Sequence, residues 1–153
     1  MVQNSSALIH FHYLTTPFHF TGRKQLKAFL VYLFRKEGFK INSLNYIFCS
    51  DKYLNQLNKK HLNHDNYTDI LTFDLSDKGK PTNAEIYISI DRVKENASIY
   101  KTSFKKELLR VIFHGALHLC GYKDKSKKQT QQMRMSEEYY LTRYFVSRET
   151  KLK

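Results

Sequence analysis

The segment Phe104 to Leu119, FKKELLRVIFHGALHL, sets the tightest limit on what this chain can become. Leu108, Leu109, Val111, Ile112, Leu117 and Leu119 leave little of it polar, so it reads as a central helix buried by the rest of the fold. Two histidines are set into it, His114 and His118. Residues four apart on a helix lie one above the other on the same face. Burying two imidazoles among leucines costs free energy unless each is hydrogen-bonded or holds a metal ion. A lone histidine in such a helix is usually a satisfied core residue. A stacked pair is better explained as two ligands of one ion.

The residues after the pair strengthen that reading. The stretch HGALHLCGYKD places Gly121 three residues after His118 and Asp124 three after that. A glycine there can end the helix in a left-handed conformation and turn the chain back toward the metal. Asp124 stands where the returning loop would deliver a third ligand. The spacing is that of the metzincin peptidases, H-E-x-x-H-x-x-G-x-x-H, with two differences. Gly115 occupies the place of the catalytic Glu, and Asp124 that of the last His. Cys120 falls on the far side of the helix from His118 and reads as a buried thiol.

Three protein ligands leave a position open for water, the catalytic arrangement. An ion held there activates that water as a nucleophile and polarises a phosphoryl or carbonyl oxygen. Two His and one carboxylate suit zinc first. The carboxylate makes harder cations acceptable, so manganese and magnesium stay open. A peptidase of this pattern needs the glutamate as its base. Its absence, with a formal charge of +12, points from peptide toward a phosphodiester. Such a field attracts polyanions and nucleic acid above all.

The rest of the chain reads as one domain, residues 1–153, with residues 1–6 and 147–153 as flexible tails. Strands are predicted at Ala7–Leu14, Leu44–Cys49, Asp69–Leu75 and Ala84–Ile90. His10 and His12 share one face of the first strand and read as partly exposed or hydrogen-bonded, not as ligands. Helices are predicted at Arg23–Glu37, after a cap at Ser50 or Asp51, from a cap at Asp91 to Tyr100, at Phe104–Leu119, and from a capping box at Ser126 and Gln129 to Val146. The polar stretch His61–Thr68 reads as a loop. The fold class is therefore α+β, a mixed four-stranded sheet packed against about five helices. Its one antiparallel pairing comes from the glycine turn DKGKPTN at 77–83, and its two β-α-β units are expected to make parallel pairings. Two cysteines make no disulfide framework, and neither a secretory signal nor an apolar run of membrane-spanning length is seen, so a cytoplasmic setting is expected.

With these residues in view, the chain resembles the YbeY family of metal-dependent single-strand endoribonucleases. His114, Gly115, Leu117, His118, Leu119, Gly121 and Tyr122 stand as in the family signature H-G-x-L-H-L-x-G-Y-D-H. Upstream, Leu57-Asn58 and Thr68-Asp69-Ile70-Leu71-Thr72-Phe73 resemble the L-N…T-D-V-L-S-F segments, and Glu85 to Ser89 resembles the G-D-I-x-I-S strand. The resemblance implies action on ribosomal RNA at the small ribosomal subunit, in maturation and quality control. It also exposes two departures. The family's third ligand is His, here Asp124, and the family's Arg aligns with Leu62. Arg92, Lys123, Lys125, Lys127 and Lys128 are the basic residues nearest to take that role in binding RNA. His61 and His64 are candidate acid or base groups by their pKa range. Asp69 is a candidate hydrogen-bond partner for the backbone or for a ligand His. Two other functions stay open: a ribosome-associated RNA-binding protein with a structural metal, and a metal-dependent hydrolase of another substrate such as a peptide.

Overall fold

The computed structural model describes residues 5–14, 18, 20–62 and 68–152, with only the backbone course given for 6, 7, 61, 62 and 148–152. The elements run α1 (Ser5–Leu8), β1 (Ile9–Tyr13), α2 (Arg23–Lys36), β2 (Ile41–Cys49), α3 (Asp51–Leu62), β3 (Ile70–Asp74), β4 (Thr82–Ser89), α4 (Ile90–Ile99), α5 (Phe104–Leu119) and α6 (Lys127–Leu152). The α+β expectation holds: the described residues form four strands and, beyond the single turn of α1, five helices.

The strand order is β1-β2-β4-β3. β1 runs parallel to β2 and β2 parallel to β4, while β3 lies antiparallel to β4 at the edge. The first β-α-β unit is thus a parallel crossover through α2. The second is not: the chain leaves β2 through α3 and makes β3 the outer strand, and only the hairpin return puts β4 beside β2. Burial explains the exchange. β4 buries Ala84, Ile86 and Ile88 on one face, whereas β3 ends in exposed Asp74 and is better suited to an edge.

Alternation along the strands sorts the two faces. Leu44, Tyr46, Phe48, Ile86 and Ile88 join α2, α4, α5 and α6 in the main core. Cys49 and Leu71 meet Leu54 of α3 on the other side. α5 is the helix the sequence predicts, with Leu108, Leu109, Ile112, Phe113 and Leu117 all buried. Ser103 caps its start by accepting from the Lys106 N–H at 3.1 Å. Tyr46 donates its hydroxyl to the Ile112 carbonyl at 2.9 Å and pins the helix to the sheet.

Gly115 decides how near that helix can come. A β-carbon there would lie 2.9 Å from Ile70 Cδ1 and 3.1 Å from two atoms of Ile86. Position 115 therefore faces the sheet.

Local differences from the sequence reading have simple causes. The segment before Ile9 is a helical turn, not strand. Ser89, not Asp91, caps α4 by accepting from the Arg92 N–H, while the Asp91 carboxylate accepts from the Asp51 N–H at 2.8 Å. Ser50 caps α3 through the Tyr53 N–H. Ser126 and Gln129 do form the reciprocal capping box, and α6 runs on past Val146 to Leu152. His10 and His12 are exposed, with His12 Nε2 2.8 Å from Asn45 Oδ1.

Candidate metal centre

The end of α5 builds the site. Cys120 is the last residue near helical geometry, and Gly121 comes next at φ 97°. The Gly121 N–H bonds to the His118 carbonyl and the Tyr122 N–H to that of Leu117, both at 3.0 Å. This is a Schellman ending, and only the left-handed residue in it lets the chain double back. The reversal puts two things beside the helix. The Tyr122 carbonyl accepts from His118 Nδ1 at 3.0 Å, and Asp124 arrives opposite both histidines.

His114 Nε2 and His118 Nε2 are 3.0 Å apart, and Asp124 Oδ2 lies 3.3 Å from each. The other ring nitrogens are already engaged. His114 Nδ1 donates to Glu137 Oε2 at 2.6 Å, and His118 Nδ1 to the Tyr122 carbonyl. Both partners are acceptors, so each Nδ1 carries the hydrogen and each Nε2 presents a lone pair. Two lone pairs and a carboxylate oxygen facing one another repel unless a cation lies among them. A tetrahedral ion with Zn–N bonds of about 2.0–2.1 Å spaces its ligands about 3.3–3.4 Å apart. The triangle fits such an ion, and the three residues could hold one.

The surroundings favour positive charge at that point. Burial would lower the His114 pKa, but Glu137, Asp124 and Asp69 outweigh it and hold the imidazole above its usual range. The site opens on a cleft of about 850 Å³ between β3, α5 and α6. Asp69, Glu107, Arg110 and Arg134 also line it. Burial raises the Asp69 and Glu107 carboxyls above the ordinary carboxylate range, with His114 and Arg110 respectively the largest opposing influences.

The residues singled out by sequence fall in different places. His114, His118 and Asp124 converge. Asp69 lines the cleft, but Glu137 makes the hydrogen bond to the ligand ring. Lys125 lines the cleft, whereas Lys123, Lys127 and Lys128 are exposed beyond it. Arg92 sits outside the lining, paired with Asp51 at 3.0 Å and Glu95 at 3.4 Å. His61 and Leu62 end α3, and their side chains, like all of His64, lie outside the described residues. Cys120 is buried, its thiol pushed up to about 12 chiefly by that burial.

Three groups were missed. Arg110 stands one helical turn before His114, so 110, 114 and 118 share a face, and the four-residue spacing alone could have found it. It pairs with Glu107, Glu137 and Glu138. Glu137 lies 23 residues from His114, with no local signal linking them. Glu37, after α2, accepts from the hydroxyls of Tyr122 (3.1 Å) and Tyr140, tying the returning loop to two other helices.

Known proteins resemble this chain along most of its length. The family model described as Endoribonuclease YbeY matches residues 15–145. An Endoribonuclease YbeY of Cytophaga hutchinsonii is 46% identical over 127 residues, 83% of this chain and 89% of its own length. That of Flavobacterium johnsoniae is 38% identical and covers 91% of this chain and 99% of its own. A Thermotoga maritima protein of known solution structure superimposes with a TM-score of 0.63 at 30% identity, over 94% of this chain and 93% of its own. With the family model spanning nearly the whole fold and relatives this similar along most of their length, the chain belongs to the YbeY endoribonuclease family.

Proposed function

We propose that this chain is a single-strand-specific metallo-endoribonuclease that acts in the cytoplasm on small-subunit ribosomal RNA, in its maturation and in ribosome quality control. One observation carries the reading: three cation-seeking ligand atoms converge at the wall of an open cleft in a protein of charge +12. His114, His118 and Asp124 would hold the ion, zinc by the ligand set, with manganese or magnesium as the harder alternatives. When bound, it supplies Lewis acidity toward a phosphodiester oxygen and makes water a stronger acid.

The chain's own residues do the rest. Glu137 and the Tyr122 carbonyl keep both Nε2 atoms aimed at one point, so no reorientation is needed when substrate arrives. Arg134 lines the same cleft and can pair with phosphate oxygens, as Lys125 can from the loop, while Arg110 there is held by Glu107, Glu137 and Glu138. Arg134 and Lys125 are the cations best placed to serve where the family's arginine is replaced by Leu62. Arg92, Lys123, Lys127 and Lys128 extend the positive field toward flanking RNA. His61 and His64 remain the candidates for proton transfer, and Asp69 supports the site by its negative charge near His114.

Position 115 speaks against a peptidase. It faces Ile70 and Ile86, so no side chain there could serve as the missing base. Among the described residues no helix is long and apolar enough to cross a membrane.

The test is cleavage of single-stranded RNA by highly purified protein, with and without added zinc or manganese, beside His114→Ala. Cleavage is expected only in the parent protein and only with metal. Equal cleavage by the variant would overturn the reading. RNA binding without cleavage under any metal, together with unfolding on chelation, would favour a binding protein with a structural ion.

A further inference from the structure

A groove between α2 and α6 is built from different materials than the cleft. The buried Phe29 and Tyr144 form its apolar floor, and Gln25, Ala28, Tyr32, Arg143 and Ser147 its rims, around about 310 Å³. Gln25, Ala28, Tyr32 and Lys36 fall at three- and four-residue spacings and so share one face of α2. Beside the groove, the partly exposed Tyr139 ring is bracketed by two cations, Lys36 Nζ at 5.5 Å from its centroid and Arg143 Cζ at 4.6 Å. α2 itself carries Arg23, Lys24, Lys27, Arg35 and Lys36 and no acidic residue.

Aromatic faces interleaved with exposed cations suit a strand of nucleic acid. Bases stack on the rings without sequence preference, and the backbone tracks the positive charge. An acidic protein segment would satisfy the cations but leave the Tyr32 ring unused. The groove also lies in the right place. Arg134 and Glu137 on one side of α6 line the cleft, and Arg143 and Ser147 further along the same helix line the groove. Glu137 and Arg143 are six residues apart, about 9 Å along the axis at 1.5 Å per residue.

We infer that the groove between α2 and α6 is a second contact site for single-stranded RNA, which grips the strand beside the segment that enters the cleft. The inference rests on the proposed RNA substrate. Binding can nonetheless be measured without cleavage, so the two readings fail separately.

The experiment compares the full-length protein with the double variant Lys36→Glu/Arg143→Glu. A control, Lys78→Glu/Lys94→Glu, makes the same change in net charge elsewhere on the exposed surface. Affinity for a single strand of about 30 nucleotides, longer than one domain's usual site, is measured across salt concentrations beside a hexanucleotide. The groove variant is expected to bind the long strand about ten-fold more weakly, with the salt slope reduced by about 1.4 for two lost phosphate contacts. Its hexanucleotide affinity should match the control's, and Gln25→Lys should tighten long-strand binding. Where the parent cleaves, the groove variant's KM for long RNA should rise while kcat holds. Equal weakening in groove and control variants, or an equal loss with the hexanucleotide, would reduce the effect to overall charge and overturn the site. Displacement of the long strand from the groove by polyglutamate at equal charge concentration would overturn it in favour of an acidic protein partner.

Discussion

Glu137 reaches His114 from α6 and fixes which nitrogen of the ring faces the ion. Glu137→Gln keeps the volume but removes the charge, and should weaken metal binding about 10–100-fold. Titration against a chromophoric chelator measures this, and an unchanged affinity would remove Glu137 from the centre. Glu107 makes a prediction of the opposite kind. Burial raises its folded-state pKa above the ordinary 4.5, against the pull of Arg110. A raised carboxyl holds its proton more tightly folded than unfolded. Its favourable contribution is therefore complete below about pH 4.5 and is lost as pH rises through the raised value. Glu107→Gln should gain stability relative to the parent between pH 4 and pH 8, as read from urea melts; a difference independent of pH would contradict the burial effect. At this scale the ligands were legible because helix geometry turns a four-residue spacing into a shared face. The Glu137 partner was not legible, because nothing local links residues on separate helices.

At the scale of elements, two contacts place the site. The first is the approach of α5 to the sheet at Gly115. Gly115→Glu would force a charged side chain between Ile70 and Ile86, combining overpacking with an unpaired buried charge, and should cost more than about 4 kcal/mol. Thermal unfolding checks it. A folded variant of parent stability would mean that the helix and sheet can part there, and only then could a peptidase-like base be accommodated. The second is the Glu37 carboxylate, which accepts from Tyr122 and Tyr140 and so joins the loop after α5 to α2 and α6. An amide has one acceptor oxygen for these two hydroxyls. Glu37→Gln should therefore lose about 1–3 kcal/mol and also lower metal affinity, since the Tyr122 carbonyl orients His118. Tyr140→Phe, which leaves the Tyr122 contact in place, should lose stability alone. Equal metal affinity in all three proteins would confine Glu37 to a stabilising role. The Schellman turn at Gly121 could be read from sequence, because a left-handed residue is required there. The Glu37 contact could not, because it depends on how α2 packs.

For the molecule as a whole, the +12 charge sets the reach of its field, and the fold decides where that field is concentrated. Binding of single-stranded RNA should fall steeply with salt, with a log–log slope of about −0.7 for each phosphate neutralised. If the cleft and the groove between α2 and α6 share one strand, the slope should exceed three phosphates; a slope near zero would mean that the charge serves solubility alone. Four strands, five main helices and the α+β class were legible in the periodicity, but the strand order was not. Expecting β3 beside β2 treats sequence neighbours as spatial neighbours, whereas the hairpin return of β4 exchanged them. The sequence by itself determined the buried helix, the paired histidines, the turning glycine and the aspartate behind it, since all of these are local consequences of backbone geometry and burial. Only the tertiary structure decided that Glu137 and Arg134 line the same cleft, that Glu37 ties down the returning loop, and that a basic aromatic groove lies along the same α6. Such contacts join residues far apart in the chain, and packing chooses among them only once the sheet and its helices are assembled.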